Sequence, residues 1–519
     1  MRNWCAALWA AFLSLSTAMP VLSQDVTIRS KDGTIELDAT MLGFDGDFYR
    51  LQTEYGELTV ASADVHCDGT GCPSLTDYVT ELTIVGAATP GATLLPALLD
   101  SFSERLQYSV EKTQTGSQRF TYEITDPAQG RVIGRFHFDL STTEAGFEHL
   151  ITEGADMVFA LREIRPDEAS RARKQGLGRL REAHRSRVIG LNAMVPIVAE
   201  VNPLEHVSMT QLSDLLSGST DNWQGLGGPD AGVTLHLLSR ENGLSQSLED
   251  QLLRPVDAEF GGDIRWHDTT DALSAAVAQD PLGIGLTSLS AVGNSKAVAI
   301  SGSCGFQIRA TRRTVKTEDY PLTTPLFIYM PARRMPALAR DFITFTRSLS
   351  AQIVIRRAGF VDQSPEEVPV NLQGDRFANA ISVAEGPAGF AALQDMARTL
   401  RGLQRLTTSF RFEPGSARLD AQSRSNVLQL VRSLEIGQYD GRQLYFVGFS
   451  DGQGPAHANR DIAAHRANSV RLAVSNHIEP SQLERFQIDT LAYGEALPMA
   501  CDDTEWDRQV NRRVEVWIK

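Results

Sequence analysis

The chain has 519 residues, with 64 Asp or Glu against 49 Lys or Arg, and its formal net charge is −15. This length exceeds what one hydrophobic core usually serves and predicts about three domains. An acidic chain repels nucleic acid and anionic lipid headgroups, which argues against both as general partners. A local cationic pocket for a small anion is compatible with this charge.

The N-terminus has the pattern of a secretory signal peptide over residues 1–23. Arg2 supplies the positive charge, residues 4–21 form an apolar run, and Val21 and Ser23 suit cleavage before Gln24. A retained membrane anchor is the alternative, but polar residues interrupt the run, which is short for a bilayer span. We therefore expect a periplasmic mature protein.

Residues 24–75 are expected to form a small all-β domain. Short segments of alternating apolar and polar residues are separated by turns, among them Asp32-Gly33 and Asp45-Gly46. Nothing in this domain indicates a chemical activity, and its role stays open.

The cysteines of an exported chain lie in an oxidising compartment. Cys67 and Cys72 flank a flexible turn and are expected to form a disulfide. A zinc site is the alternative, but only His66 lies nearby as a further ligand. The sequence does not decide whether Cys304 pairs with Cys501.

Residues 76–361 alternate between strand-like and helix-like segments, which predicts an α/β fold with helices on both faces of a sheet. We expect strands at 82–85, 194–199, 233–238, 283–286 and 326–329, and helices at 93–105, 209–216, 247–253 and 338–355.

Residues 362–399 are expected to be a linker followed by a helix, because the first part is rich in Pro and Glu and lacks periodicity. Residues 400–519 form a separate α/β unit. We expect its strands at 409–412, 444–449, 486–493 and 513–518, and its helices at 421–434 and 459–476.

A candidate binding site follows the strand that ends near residue 449. Asp451 lies at the tip of this strand, and Asn459 and Arg466 fall on one edge of the next helix. This arrangement suits a zwitterion, because Asp451 can bind an ammonium group and the fork of Arg466 a carboxylate. On these residues alone, an ordinary surface ion pair between Asp451 and Arg466 is the alternative.

The motifs around this site resemble the C-terminal domain of the OmpA family. The residues that carry the resemblance are 412–417, Leu419, 448–451, Gly454, Asn459, 466–467, Val470, Gly494, Pro498 and 511–515. The resemblance implies an α/β sandwich that binds the meso-diaminopimelate of peptidoglycan stem peptides through Asp451 and Arg466. Ser450 stands where the family usually has threonine, which removes no charged contact. Strand alternation would point one of Arg512 and Arg513 toward the site, where it could support the site or cap the fold, and we expect a structural role for both.

Two strand-to-helix junctions of the middle module are candidate anion sites. Residues 86–91 place Thr89 at the start of a helix, where free backbone N–H groups favour an anion. Residues 239–247 repeat that geometry and add Arg240 and Ser245, while Arg162 supplies another positive group.

The middle module resembles the PstS-like phosphate-binding proteins, which have the type 2 periplasmic-binding fold. The supporting residues are Gly218, 222–223, 227–228, 239–241, 283–285, 320–322 and 359–361. The resemblance implies two lobes that close on an oxyanion. The departures fall at the ligand segments, where Ala87, Leu161 and residues 244–246 replace the usual hydroxyl and glycine residues. Each lost donor to an anion costs about 1.5–3 kcal/mol.

These features lead to two functional hypotheses. The first is a periplasmic solute-binding protein for phosphate or a related oxyanion, tethered to peptidoglycan, with the outer membrane and an ABC transporter permease as implied neighbours. The second is a cell-wall-anchored envelope scaffold whose solute-binding fold has lost anion binding. The sequence shows no nucleophile, metal or cofactor motif, so we expect a non-enzyme without metal or cofactor.

Overall fold

The computed structural model describes residues 25–152, 154–182, 184–384, 386–413 and 415–519, and the expected signal peptide lies outside them. The described residues form two compact units, one made by residues 25–79 together with 335–337 and one made by the described residues of 80–334 and 338–519. Across the described ranges, no helix has both the length and the apolarity needed to cross a membrane.

The first unit is an antiparallel β-sheet, as its alternating segments predict. Its strands are β1 (Asp25–Ser30), β2 (Glu36–Phe44), β3 (Phe48–Thr53), β4 (Gly56–Ala61) and β5 (Val65–Asp68). They lie in the order β4-β3-β2-β1-β5. Side chains from alternate positions, including Val26, Ile28 and Leu51, form the core. The expected disulfide between Cys67 and Cys72 is present.

The second unit begins with the first lobe of the middle module, in which β-strands alternate with helices. Its elements are β6 (Thr80–Ala87), α1 (Ala88–Arg105), β7 (Ser109–Gln114), β8 (Arg119–Asp126), β9 (Arg131–Ser141), α2 (Thr143–Ile151), β10 (Met157–Ala160) and α3 (Pro166–Lys174). Strand β6 lies between β9 and β10 and runs parallel to both. The helices α1 and α2 each follow the carboxyl end of a parallel strand.

The long strand β11 (Ser186–Val198) leads from the first lobe into the second. The second lobe and the return to the first contain β12 (His206–Ser208), α4 (Met209–Ser217), β13 (Thr234–Leu238), α5 (Gly243–Leu248) with a π-helical turn (Glu249–Leu253), β14 (Ile264–His267), α6 (Thr270–Gln279), β15 (Gly283–Ser288), β16 (Lys296–Ala297), β17 (Ala299–Ser301), β18 (Gln307–Ile308), α7 (Arg312–Lys316), β19 (Thr323–Tyr329), α8 (Ala337–Phe345) and α9 (Leu349–Arg357). The first part of β11 pairs with β19 and its last part with β15. Because β19 also pairs with β10, one sheet passes through both lobes, which confirms the two-lobed α/β fold.

The segment predicted as one helix at 338–355 is two helices, α8 and α9. Helix α8 ends at Phe345, and Ser348 caps α9, because its hydroxyl accepts a hydrogen bond from the backbone N–H of Ala351 at 3.2 Å. A serine at such a position satisfies an N–H group that a continuous helix would bond internally. The break leaves Arg347 at the turn between the two helices.

The C-terminal module is an α/β sandwich. Its elements are β20 (Glu367–Pro369), α10 (Gly374–Val383), α11 (Gly386–Leu400), β21 (Gln404–Arg411), α12 (Ala421–Glu435), β22 (Gln443–Phe449), α13 (Ala456–Ser475), α14 (Pro480–Leu483), β23 (Gln487–Gly494), α15 (Glu505–Asn511) and β24 (Arg513–Ile518). The strand order is β20-β21-β24-β22-β23. Helices α12 and α13 cover one face of the sheet, where Leu430 of α12 and Val470 of α13 are buried in the core.

Residues 362–399 are more ordered than a linker. Strand β20 pairs with β21 at the edge of the C-terminal sheet. Helix α11 packs on the second face of that sheet, where Met396 and Leu400 are buried against Val447 and Trp517. The segment therefore completes the C-terminal module.

Buried ion pairs join the middle and C-terminal modules. The guanidinium of Arg405 donates two hydrogen bonds to the Asp319 carboxylate, at 2.7 and 2.9 Å. The Nε atom of Arg405 also lies 3.3 Å from Glu515, a buried carboxylate that Arg376 and Arg513 contact as well. These arginines hold the pKa of Glu515 far below its usual range despite the burial that opposes ionisation.

A second contact at this junction is a buried glutamate in an unfavourable setting. Glu318 accepts a hydrogen bond from Asn426 at 2.9 Å, and its nearest cationic group, on Arg411, is 4.0 Å away. Burial, assisted by repulsion from Asp420, raises the pKa of Glu318 to about 8. The junction therefore buries an acid that resists ionisation near neutral pH.

The pairing of the remaining cysteines, which the sequence leaves open, is resolved. Cys304, in the second lobe, forms a disulfide with Cys501, which precedes α15. The two residues are 197 positions apart in the chain. This covalent link fixes the second lobe to the C-terminal module.

Candidate functional site

Arg162, a predicted anion-binding residue, is buried and its hydrogen-bond donors are almost all used within the protein. Its guanidinium binds the carboxylate of Glu168 through two parallel hydrogen bonds, at 2.7 and 2.8 Å. Its Nε donates to the side-chain oxygen of Gln246 at 2.9 Å. A carboxylate of the protein therefore occupies the fork that a bound oxyanion would need.

Gln246 ties the two lobes together across the cleft. Besides accepting from Arg162, it donates a hydrogen bond to the carboxylate of Glu144 at 2.9 Å. Glu144 lies in the first turn of α2, where the helix dipole favours a negative charge. A Cβ atom on Gly243 would lie 2.5 Å from the hydroxyl of Thr143, so the lobes touch at the start of α5.

Ser245 is also engaged within the protein. It is buried, and its hydroxyl donates to the backbone carbonyl of Leu238 at 2.7 Å. Its neighbour Leu244, which replaces a serine of the family's clamp, is a buried apolar residue. This segment therefore anchors α5 to β13 and presents few hydroxyl donors to a solute.

Thr89 and Arg240 remain at the surface. Thr89 is the second residue of α1, at the end of β6. Arg240 lies over the rings of Phe260 and Trp266, with its central carbon 5.7 and 5.5 Å from their centroids. Its Nη2 donates to the carbonyl of Phe260 at 3.3 Å. The four predicted anion-binding residues thus do not converge in one set of free donors.

In the C-terminal module, Asp451 lies just after β22, as predicted, but its ion-pair partner is Arg512. The Nη1 atom of Arg512 is 2.9 Å from the Asp451 carboxylate, and both side chains are mostly shielded from solvent. Arg512 also contacts Glu505. Arg512, for which a structural role is expected from the sequence, therefore lies in the candidate site.

Arg466 stands beside this pair with a free guanidinium group. It lies over the ring of Phe412, 5.3 Å from the centroid, and forms no hydrogen bond or ion pair with its side chain within the described part of the chain. Burial lowers the pKa of Arg466, and repulsion from Arg512 lowers it further, while Asp451 raises it. The site therefore combines a half-buried, unpaired cation with a neighbouring carboxylate.

Asn459 and Asn511 support the site through hydrogen bonds with neighbouring residues. The amide of Asn459, which is buried, donates to Glu495 at 2.7 Å. Asn511 accepts hydrogen bonds from the backbone of Met499 and Ala500 and donates to Asp502 at 2.7 Å. The Asp502 carboxylate in turn accepts from the backbone N–H next to Asp451, on Gly452. These contacts fix the loop that carries Asp451.

Sequence reasoning missed Asp502, Glu505 and the role of Arg512. The only local signal was the position of Arg512 in the family motif at 511–515. Arg513, next to it, points the opposite way and is buried against Glu515 at 2.8 Å. Arg512 follows α15 and Arg513 is the first residue of β24, and the expected strand alternation does not by itself say which of the two reaches the site.

The described residues contain no group of three or more His, Cys, Asp or Glu side chains arranged to hold a metal ion. The arrangement at Asp451 and Arg466 offers opposite charges without a nucleophile and a paired base. Opposite charges in this arrangement suit a ligand that carries both an anionic and a cationic group.

Comparison with known proteins identifies two family models in this chain. A model described as a PBP superfamily domain matches residues 75–348, more than half of the chain. A model of the OmpA family matches residues 411–512. The two matches correspond to the middle and C-terminal modules.

Three individual proteins illustrate these matches. The phosphate-binding protein PstS of Staphylococcus epidermidis is 23% identical over 36% of this chain and 57% of its own length, so the chain spans little more than half of that relative. Outer membrane porin F of Pseudomonas fluorescens is 33% identical over 16% of this chain and 24% of its own length. The crystal structure of an ABC-type phosphate transport receptor from Vibrio cholerae aligns with a TM-score of 0.42 and 16% identity, covering 54% of this chain and 99% of the receptor.

The chain therefore belongs to the PBP superfamily, as a PstS-like protein fused to a C-terminal domain of the OmpA family.

Proposed function

We propose that this protein is a periplasmic envelope protein anchored to peptidoglycan by its C-terminal domain. The observation that carries the proposal is the unpaired guanidinium of Arg466 beside the carboxylate of Asp451. Even a half-buried cation without a partner carries a desolvation cost, and a carboxylate ligand offsets that cost. The resemblance to the OmpA family supports meso-diaminopimelate as the ligand.

The amino-acid end of diaminopimelate matches the charges of the site. Its carboxylate fits the fork of Arg466, and its ammonium group fits Asp451. Arg512 does not have to be left unpaired when the ammonium group binds, because Glu505 is its second carboxylate partner. Asn459 is a positioning residue, which supports the site through its hydrogen bond to Glu495.

Cosedimentation with purified peptidoglycan sacculi tests the anchoring proposal. We expect Asp451→Ala and Arg466→Ala each to weaken binding about tenfold or more, since a charge-assisted hydrogen bond contributes about 1.5–3 kcal/mol. Arg471→Ala, which removes an arginine from the same helix, is the matched control because, among the described residues, its guanidinium hydrogen-bonds only with Asn468. Sacculi that retain the Asp451→Ala/Arg466→Ala double variant as firmly as the parent would disprove the proposal.

For the middle module, we infer an envelope scaffold whose solute-binding fold has lost anion binding. The supporting contacts are those of Arg162 with Glu168 and of Gln246 with Glu144. An oxyanion entering the cleft would have to displace a buried carboxylate from Arg162 and approach a second one on α2. Both steps oppose binding of an anion in a desolvated cleft.

The second candidate function is capture of phosphate or a related oxyanion, with an ABC transporter permease as the partner that such capture would require. The exposed Thr89 hydroxyl and Arg240 guanidinium favour it, since neither is buried in an internal ion pair. The relatives named as phosphate-binding proteins also support it.

Calorimetry of the full-length protein with phosphate, sulfate and molybdate separates the two candidates. The scaffold predicts no binding heat with any of these anions. Anion capture predicts heat that Arg240→Gln abolishes and that Arg313→Gln, at an exposed arginine outside the cleft, leaves unchanged. Heat with that dependence would overturn the scaffold assignment.

A further inference from the structure

A cavity lies between the middle and C-terminal modules, away from both sites described above. Its volume is about 500 Å³, within the usual range for small-molecule sites. Its walls come from the end of α1, from the turn between α8 and α9, and from one face of α12. Since α12 belongs to the C-terminal module, the cavity exists only in the fused protein.

One wall of this cavity carries an arginine that has no partner. Arg347 lines the cavity, and its guanidinium forms no hydrogen bond or ion pair within the described residues. Burial lowers the pKa of Arg347. Arg187, close enough to repel it, likewise lacks a side-chain partner among these residues, and its Nε atom is fully buried. Burial and the nearby Arg347 together lower the pKa of Arg187 to about 10.

Two half-buried guanidinium groups that repel each other are an unusual feature in a folded protein. Buried charges are normally paired, because the cost of removing an ion from water exceeds what packing returns. Each unsatisfied buried polar atom calls for an explanation, and a bound counter-ion is one that fits here.

The other charged groups of the cavity leave a positive excess. Its lining contains the cations Arg105, Arg347 and Arg432, the carboxylates of Asp341 and Glu435, and the ring of His477. Neither carboxylate forms an ion pair with Arg347, and Glu435 instead lies 3.8 Å from Arg432. With Arg187 behind the wall, cationic groups outnumber anionic ones, although the whole chain is strongly acidic.

The backbone adds a further attraction for an anion. Ser348, the cap of α9, lines the cavity, so the N-terminus of this helix faces it. Free N–H groups and the helix dipole favour negative charge at that position. Arg105 reaches the same turn, with its Nη1 atom 3.5 Å from the hydroxyl of Ser350.

The remaining walls are apolar. Phe102 and Phe345 line the cavity from the first lobe, and Leu428 and Val431 line it from α12. A free inorganic anion would leave these side chains in contact with water. An apolar body next to the charged head would cover them, which is favourable in proportion to the area removed from water.

We propose that this junction cavity is a binding site for a small amphiphilic anion, whose carboxylate or phosphate head binds Arg347 at the start of α9 and whose apolar body packs against α1 and α12. The site does not depend on the peptidoglycan site or on the anion cleft.

Calorimetry of the full-length protein with matched probes tests the proposal. Decanoate and decyl phosphate, kept below their micellar concentrations, supply the two possible heads on one apolar chain. Acetate and inorganic phosphate supply the heads alone, and decyltrimethylammonium supplies the chain with the opposite charge. We expect decanoate, decyl phosphate or both to bind, and the three other probes not to bind.

Variants locate the binding. Arg347→Gln should weaken binding of the amphiphilic anion by about tenfold or more, as expected for loss of a charge-assisted contact. Leu428→Gln should weaken it roughly fivefold by removing apolar contact. Arg357→Gln, at the exposed opposite end of α9, is the matched control and should bind like the parent.

Folding of the variants is checked by thermal unfolding. Arg347→Gln should not lower the melting temperature, because it relieves the repulsion with Arg187. The proposal is overturned if neither amphiphilic anion binds, if decyltrimethylammonium binds equally well, or if Arg347→Gln binds with the parent's affinity.

Discussion

Replacing Glu318 by Gln is expected to stabilise the protein at neutral and alkaline pH. Glu318 is buried at the junction of the two modules, and burial is the main cause that raises its pKa to about 8. In the unfolded chain, a glutamate titrates at about 4.3. Between these two values the unfolded chain releases the proton while the folded chain keeps it, so the free energy of unfolding falls as pH rises.

The size of the effect follows from the width of this window. Each pH unit inside it lowers the free energy of unfolding by about 1.4 kcal/mol. Between about pH 6 and pH 8, the parent should therefore lose about 2–3 kcal/mol relative to Glu318→Gln. The variant keeps the local structure, because the side-chain oxygen of Gln can accept the hydrogen bond that Asn426 donates at 2.9 Å.

Thermal unfolding of the parent and of Glu318→Gln across this pH range, followed by the fluorescence of the buried Trp517, measures the difference. The advantage of the variant should be small at about pH 5 and should grow to about 5 °C or more near pH 8. Glu484→Gln, at an exposed glutamate, is the control and should show no such trend. An advantage that does not change with pH would refute the assignment of the raised pKa to Glu318.

Two further predictions concern the same junction. Replacing Cys304 and Cys501 together by Ser should lower the free energy of unfolding by up to about 5 kcal/mol, because their link closes a long loop. Removing the Cys67–Cys72 link should leave the unfolding transition that Trp517 fluorescence reports unchanged. Calorimetry of both variants, together with this fluorescence, checks the two outcomes. Asp319→Asn should cost about 3–5 kcal/mol in denaturant unfolding, since it leaves Arg405 with a buried, partly compensated charge. Pairing Asp319→Leu with Arg405→Met should recover most of that loss, and a double variant as unstable as Asp319→Asn would contradict this explanation.

Local patterns in the sequence predicted only part of the strands and helices, and β7–β10, α2 and α3 of the first lobe were not among them. The stripe at Val427, Leu430, Val431 and Leu434 predicts α12, and the structure buries these side chains against the sheet. The break between α8 and α9 was not predicted because Ser348 lies in an otherwise periodic segment. Its capping role could have been a signal for that break.

Side-chain partners were less predictable than elements. Asp451 was placed correctly after a strand, but its pairing with Arg512 depends on β24 lying next to β22, which helical and strand periodicity do not report. Cys304 and Cys501 are 197 residues apart, so no local pattern links them. Arg162 looked like a free cation because tertiary packing supplies its partners: Glu168 lies on the following helix α3, and Gln246 comes from the other lobe.

The contacts of the C-terminal module also bear on how the middle module works. A two-lobed binding protein that traps its ligand by hinge closure needs lobes that can separate. Here the C-terminal module holds the first lobe through Ser425, which donates to the carbonyl of Val188 at 3.2 Å. It holds the second lobe through the Cys304–Cys501 disulfide and through Trp506, which donates to the carbonyl of Gln251 at 2.6 Å.

A module that contacts both lobes opposes their separation, because opening the cleft must break its contacts with one lobe or strain its contacts with the other. The link to the second lobe includes a disulfide, so the non-covalent contacts to the first lobe must break first. The bridge of Gln246 between Arg162 and Glu144 adds a hydrogen-bonded link inside the cleft itself. Both features favour a rigid two-lobed body, because contacts within the protein hold the cleft closed in the absence of a solute.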